Sequence, residues 1–374
     1  MVWVGRIMPT TTKNRTKVSV TRRFTGIQYL RAAASLSVVL FHAIDRAGLW
    51  FGAAAAGVDV FFVLSGLVIW LSISQASTTP ASFAARRLIR IVPLYWAVTL
   101  VLAITALILP ALFARLHLSF FGFLHSLFFI PYRNANGQVL PLLAPGWTLN
   151  YEIFFYVLVA LVLFLPRRLR LSGLFSVIGA LLAIGLMLGG RNPILREVTN
   201  PLLLEFAGGV GLAHLWQRGH LSGASLGCGA IALAITGLAV IASLGVPVNR
   251  YRVLLWGIPA ILLVAGVVMI ETAGKLPSWP AFALLGDASY SIYLIHPLLI
   301  SAVAKLWPRL PLLMVPIDLA LALPVGIASF LLFEKPVTNC LRALIDSTVS
   351  LSNPGAGRHG QSTARQTQKA PTFV

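Results

Sequence analysis

The chain has 374 residues, 58% hydrophobic and only 10% charged, with two cysteines and a formal net charge of +19. Soluble domains carry roughly a quarter charged residues, so a water-soluble globular protein is excluded. The positive charge falls between apolar runs, where it sets membrane topology rather than binding nucleic acid, and Cys228 and Cys340 lie too far apart to suggest a disulfide framework or a zinc pattern.

Residues 1–24 form a basic segment carrying Arg6, Lys13, Arg15, Lys17, Arg22 and Arg23. The apolar run that follows is too long for a signal peptide and lacks a small-residue cleavage site, so it reads as an uncleaved first span. Such runs recur to Phe333 and predict an all-α polytopic membrane helical bundle of about ten transmembrane helices. The expected spans are 27–45, 56–75, 91–110, 147–165, 172–189, 201–217, 221–246, 253–270, 283–303 and 312–333. The apolar piece 120–130, inside a long loop at 111–146, is short for a crossing and reads as re-entrant or interfacial.

Loop charges orient the bundle. With the N-terminus inside, the inner segments hold about twice as many Lys and Arg as the outer loops. The strongest local signals are Arg86, Arg87 and Arg90, then Arg167, Arg168 and Arg170. Both termini are therefore expected in the cytoplasm. Residues 25–340 read as one transmembrane domain, and 341–374, polar towards its end, as a disordered cytoplasmic tail.

Against this apolar background, a few ionisable side chains lie within the expected spans. Such residues face a bundle interior or an aqueous cavity and are functional candidates. Arg31 and His42 are eleven residues apart on the first span, close to three helical turns, so they share a face about 16 Å apart. Depths along the other spans suggest two layers. Arg31, Arg86, Arg87 and Arg90 form an inner, arginine-rich layer; His42, Asp59, Glu152, Glu205 and His296 form an outer one. Guanidinium matches phosphate geometry, and imidazole near a carboxylate suits deprotonation of a hydroxyl near neutral pH. The two layers suit a phosphate-bearing molecule held from the cytoplasm and an alcohol presented from outside.

Several motifs follow in order. Arg31-x10-His42 precedes Gly57-Val-Asp59-Val-Phe-Phe-Val-Leu-Ser65-Gly66 and Arg86-Arg87-Leu-Ile-Arg90-Ile-Val-Pro93-Leu-Tyr95-Trp96. Then come Trp147-Thr-Leu-Asn-Tyr-Glu152-Ile-Phe-Phe-Tyr156, Gly286-Asp-Ala-Ser289-Tyr290-Ser-Ile-Tyr293-Leu-Ile-His296-Pro297 and Glu334-Lys-Pro336. This succession resembles the acyltransferase 3 family of integral membrane O-acyltransferases over residues 24–340, and within it the stand-alone exopolysaccharide O-acetyltransferases of the ExoZ type. The resemblance implies acyl transfer from cytoplasmic acyl-CoA, usually acetyl-CoA, to a carbohydrate hydroxyl on a lipid-linked or polymeric acceptor. It also implies the multi-pass inner membrane of a bacterium, with polysaccharide-assembly proteins as possible partners. The family's functional Arg and His fall on Arg31 and His42, its Asp on Asp59, and its arginine cluster on Arg86, Arg87 and Arg90. The fourth-span motif has Thr148 where many relatives have Ser, which keeps the hydroxyl.

On these grounds His42 is expected to be the general base on the acceptor hydroxyl, a transient acyl-imidazole being the lesser variant. Arg31 is expected to act on the donor's phosphates or to orient the chemistry, and Asp59 to orient His42 or the acceptor. Arg86, Arg87 and Arg90 are expected to combine topology with donor binding. Glu152, Glu205, Tyr293 and His296 are acceptor-site candidates, with Ser289, Tyr293 and His296 on one helical face. Ser65 and Gly66 read as close-packing positions. No metal is expected, because no H-E-x-x-H or similar pair occurs. The competing reading is a transporter or flippase for a lipid-linked saccharide, which polar mid-depth residues also fit.

Overall fold

The computed structural model describes residues 24–351 apart from 50, 75–77, 114–115, 190–191, 247 and 307–310. The basic segment before Phe24 and residues 352–374 of the expected tail lie outside the described residues. Among the described residues the fold is all helix, apart from an isolated bridge between Arg133 and Val139. Fifteen α-helices follow in order: α1 Thr25–Arg46, α2 Gly57–Ile73, α3 Pro80–Ile108, α4 Phe120–Leu127, α5 Gly146–Val162, α6 Arg167–Leu188, α7 Pro193–Val198, α8 Leu203–Gln217, α9 Ala224–Ser243, α10 Val248–Arg252, α11 Ile258–Thr272, α12 Pro280–Asp287, α13 Ser289–Leu306, α14 Pro311–Ser329 and α15 Lys335–Leu351.

Seven helical stretches are long and apolar enough to cross a membrane, or eight if the bent pair α12–α13 is one span. The other two expected spans, 147–165 and 201–217, are helices of 17 and 15 residues, shorter than the roughly 20 that a crossing needs. Both are mostly buried, α8 having Leu203 and Phe206 at zero exposure, while Val157 and Leu161 of α5 and Leu204 and Leu215 of α8 stay exposed. The piece 120–130 forms only the eight-residue α4, with Phe120 and Phe121 exposed. The boundary drawn at residue 340 falls inside α15, which continues to Leu351.

One local signal changed the geometry most. α3 begins at Pro80, eleven residues before the expected span, because Thr79 accepts from the Ser82 amide, Ser82 answers to the Thr79 amide, and Pro80 opens the helix. Arg86, Arg87 and Arg90 therefore sit on a helix rather than in a loop. α1 is fixed at its start by another chain segment: the Glu271 carboxylate of α11 accepts from the Thr25 and Gly26 amides at 2.7 and 2.9 Å. Two of the orphan donors of a helix N-terminus are thereby satisfied by a negative charge, which the helix dipole also favours.

Small residues bring the central helices together. A Cβ on Gly66 of α2 would run into the Phe206 carbonyl of α8, and one on Gly209 of α8 into the Val63 carbonyl, so each helix places a glycine against the other's backbone. On α6 and α9 large apolar side chains such as Leu186, Met187, Leu226 and Leu233 point outward, as lipid-facing helices require.

Candidate active site

The centre of the bundle holds an elongated cavity with about 1080 Å³ of empty space, its open mouth included. α1 contributes Gln28 and Arg31, α2 Phe61 and Ser65, α3 Arg87 and Arg90, α5 Thr148, Glu152 and Tyr156, and α13 Ser289, Tyr290 and Tyr293. Five segments, far apart in sequence, thus converge on one chamber.

Its polar wall is largely interlocked. The Arg31 Nε donates to the Ser289 hydroxyl at 3.1 Å, and Arg31 is 7% exposed. Arg87 Nη2 donates to the Ser72 hydroxyl at 2.6 Å and lies over the Phe83 ring. Glu152 Oε1 accepts from the Ser65 and Tyr156 hydroxyls at 3.0 and 2.6 Å. The Tyr290 hydroxyl donates to the Ile91 carbonyl at 2.8 Å. Three guanidiniums face this space against one lining carboxylate, with Glu334 behind Arg31 and Arg90 and accepting from Ser291 at 2.6 Å. The chamber is electropositive, and in a low-dielectric bundle an anion is the complement that such an excess calls for.

Tyr293 marks one end of the chamber. Its hydroxyl is 3.0 Å from that of Thr148, and its ring centroid is 5.8 Å from that of His296. His296 is 1% exposed, with Nδ1 2.6 Å from the Tyr293 carbonyl. A carbonyl only accepts, so Nδ1 carries the proton and Nε2 presents a lone pair. The His296 ring lies 5.2 Å from that of His42. His42 does not line the chamber; it is exposed near the end of α1, reached through Tyr293 and His296. Arg31 and His42 do share a stripe, but the elements that bury Val39 and Ala43 on α1 leave His42 exposed between them.

The expected two layers are revised. Glu152 belongs with the arginines: its depth of about 9 Å on α5 is as its spacing implies, but α1 and the extended α3 bring Arg31, Arg87 and Arg90 to the same chamber. Arg86, the other cluster arginine, is turned away by about 100° per residue of helix, is exposed, and donates to Ser82 on its own helix. Asp59 is fully buried and its two oxygens accept from Arg252 Nε and Nη2 at 3.0 and 2.9 Å, so its charge partner is a guanidinium rather than His42. Glu205, also at zero exposure, adjoins this ion pair and packs on Gly257. Arg252 is held over Trp147 and Trp256, 5.5 and 5.1 Å from their centroids. Asp59, Glu205 and Arg252 thus make a second polar cluster outside the chamber, in which one guanidinium balances one carboxylate.

Sequence reasoning passed over Arg252, which stands before an apolar run and reads there as a topology charge. Ser65 was assigned to packing and instead holds Glu152, whereas Gly66 beside it does pack as expected. Tyr156 and Tyr290 were quoted within motifs but given no role. Among the described residues, no group of three or more His, Cys, Asp or Glu is placed to hold a metal ion.

Comparison with known proteins agrees with this geometry. A family described as "Acyltransferase domain" matches residues 24–334. The exopolysaccharide production protein ExoZ of Rhizobium meliloti is 39% identical over 310 residues, covering 82% of this chain and 96% of that protein. A putative O-acetyltransferase of Staphylococcus aureus is 25% identical, covering 87% of this chain and 59% of that protein. A putative peptidoglycan O-acetyltransferase of Bacillus subtilis is 27% identical, covering 74% of this chain and 48% of that protein. No solved structure matches.

Proposed function

The chain belongs to the acyltransferase family matched over residues 24–334 and is an O-acyltransferase, and from that premise we propose that it moves an acetyl group from cytoplasmic acetyl-CoA to a hydroxyl of an exported carbohydrate, an exopolysaccharide unit. In this reading residues 25–340 form the working domain in a bacterial inner membrane, both termini face the cytoplasm, and the chamber opens towards the donor. The observation that carries it is the electropositive chamber ending at Tyr293, with His296 and His42 in line beyond it.

Arg87 and Arg90, with Arg31 deeper, face the donor's phosphates, where planar guanidinium provides paired donors. The arm of the donor is extended, and the stretch of about 16 Å from Arg31 to His42 matches its length in kind. The acceptor oxygen attacks the thioester carbonyl carbon, the C–S bond breaks, and the hydroxyl proton passes to His42 and then to the leaving sulfur. The products are an ester and a thiol. The Tyr293 hydroxyl, tied to Thr148 and carried on a ring beside His296, would face the developing oxyanion, a type of contact whose loss costs about 10²–10³ in rate. Holding both reactants in one aligned path supplies much of the remaining acceleration.

The test is mass spectrometry of the host's surface glycans with wild-type protein, without it, and with His42→Ala. Loss of one acetyl per repeat in the deletion and in the variant, with the variant still folded and inserted, is the expected result. Normal acetylation by His42→Ala overturns the mechanism; unchanged glycans in the deletion overturn the function.

A further inference from the structure

A second concavity opens beside the chamber, of about 590 Å³ and lined by Val139, Leu140, Trp147, Tyr151, Arg196, Glu197 and Asn200, with Pro193 at its edge. We propose that this pocket is a docking site for a pyranose ring of the acceptor saccharide, separate from the chamber that holds the donor. The inference rests on the carbohydrate-acceptor reading above and gives the acceptor a place whose polar wall, Arg196, Glu197 and Asn200, lies outside the quoted motifs.

The pocket has two unlike walls. Trp147 and Tyr151 are one turn apart on α5, so they share a face, and their rings meet at 89° with centroids 6.0 Å apart. Together they offer a flat apolar face and a ring edge. Opposite them, α7 and the loop after it bring up a guanidinium, a carboxyl and an amide within five residues. A pyranose ring is amphipathic in the same way, with C–H groups on its faces and hydroxyls around its rim. Aromatic rings with apolar bodies and polar neighbours suit such a ligand, and the volume lies within the usual range for small-molecule sites.

The polar wall is also under-satisfied. Glu197 is 6% exposed and its carboxyl interacts with the Asn150 side chain, but the Glu197 Oε1 and the Asn150 Oδ1 have no hydrogen-bond partner among the described residues. Buried polar atoms in this state are rare and call for an explanation. Burial pushes the Glu197 carboxyl up to about 8, so near neutrality it is a carboxylic acid that both donates and accepts. Arg196, exposed beside it, is the one formal charge on this wall at neutral pH. A phospholipid headgroup would find a single cation here, whereas a ring of hydroxyls finds mixed donors and acceptors.

Position relates the pocket to the chemistry. Trp147 forms its wall, and the next residue, Thr148, meets the Tyr293 hydroxyl inside the chamber. A saccharide seated on Trp147 and Tyr151 lies on the same end of the bundle as Asp59, Arg252 and the histidine line, within reach of an oligosaccharide chain.

The experiment uses the purified full chain, acetyl-CoA and a de-O-acetylated oligosaccharide cut from the host's own polymer. Leu140→Trp fills the pocket, and Glu197→Gln replaces the acid by a neutral isostere. Calorimetric binding of the oligosaccharide is measured without acetyl-CoA, and transfer is measured with it. We expect Leu140→Trp to weaken oligosaccharide binding at least tenfold while the acetyl-CoA Kd holds. Wild-type binding should fall as pH rises through 8, where Glu197 ionises, and Glu197→Gln should bind at pH 7 and lose that decline. Wild-type binding and transfer matched by both variants at every pH would overturn the pocket and leave the enzyme reading intact. Pocket-dependent binding with no transfer by the wild type would sustain the pocket and overturn the reaction. Absence of any saccharide binding by the wild type would overturn the pocket.

Discussion

Replacing Arg252 by alanine should be among the most damaging single changes outside the chamber. The substitution removes both hydrogen bonds to Asp59, whose side chain is fully buried, while the side chain of Arg252 is 21% exposed. It leaves Asp59 beside Glu205, another carboxyl group at zero exposure, with no cation between them. Removing one partner of a buried ion pair costs about 3–5 kcal/mol. Water reaching the partly exposed guanidinium places this pair near the lower bound, about 3 kcal/mol. Loss of the contacts over Trp147 and Trp256 adds about 0.5–1 kcal/mol each at such a site, for a total of about 4–5 kcal/mol. Denaturant unfolding in detergent micelles, followed by circular dichroism, reads the loss. Adding Asp59→Asn to the alanine variant takes away the stranded charge and should restore at least half of it. An Arg252→Ala protein within about 1 kcal/mol of wild type would refute the reasoning, as would a double variant no more stable than the single one. The double variant also separates two roles for Asp59: regained stability without regained acetyl transfer assigns the carboxylate to chemistry as well as to structure.

Three further outcomes follow from the geometry. Arg90→Ala should weaken acetyl-CoA binding at least tenfold by equilibrium dialysis, whereas Arg86→Ala should change it less than twofold, since Arg86 faces away from the chamber. Gly66→Ala drives a methyl group into the Phe206 carbonyl, and because backbone rather than a flexible side chain must yield, the cost should be at least about 2 kcal/mol in the same unfolding assay. Glu271→Gln keeps the shape but discharges the cap on α1; a loss of about 1–2 kcal/mol is expected, with faster amide exchange confined to residues 25–28.

Much of the bundle was legible because apolar runs and loop charges obey the membrane, which is a simple solvent. Arg31, Glu152 and Tyr293 stood out for the same reason: a polar group in such a run needs a cause, and each of them lines the chamber. What misled was the assumption that depth follows from the apolar run alone. The Thr79–Ser82 cap extends α3 into polar sequence, so Arg87 and Arg90 enter the bundle on a helix that hydropathy starts eleven residues later. Arg252 was hidden differently. A cation at the edge of a span obeys the same charge rule whether it anchors topology or pairs with Asp59, 193 residues earlier, and nothing local distinguishes the two. His42 shows a third limit, for helical spacing fixes its face but not how far the neighbouring helices extend to cover it.

The two charge clusters also give the transfer a direction. α2 carries Asp59 in its first turn and Ser65 six residues on, about 9 Å along the axis. At the Ser65 level the bundle holds three guanidiniums facing one lining carboxylate; at the Asp59 level it holds two carboxyl groups around one guanidinium. A polyanionic donor is thus attracted to the first level, where cations are in excess, and finds no such excess at the second, so its phosphates stop where the arginines are while its uncharged arm extends towards Tyr293. A neutral saccharide is indifferent to that excess and approaches from the Asp59 end. Swapping the pair, with Asp59→Lys in an Arg252→Glu background, leaves the net charge of that end unchanged and should preserve this order of entry. Neutralising both carboxyl groups, Asp59→Asn with Glu205→Gln, should instead let free CoA compete with the acceptor, seen as mixed rather than purely donor-competitive inhibition. Purely donor-competitive inhibition in that doubly neutral protein would show that shape, and not charge, keeps the two substrates apart.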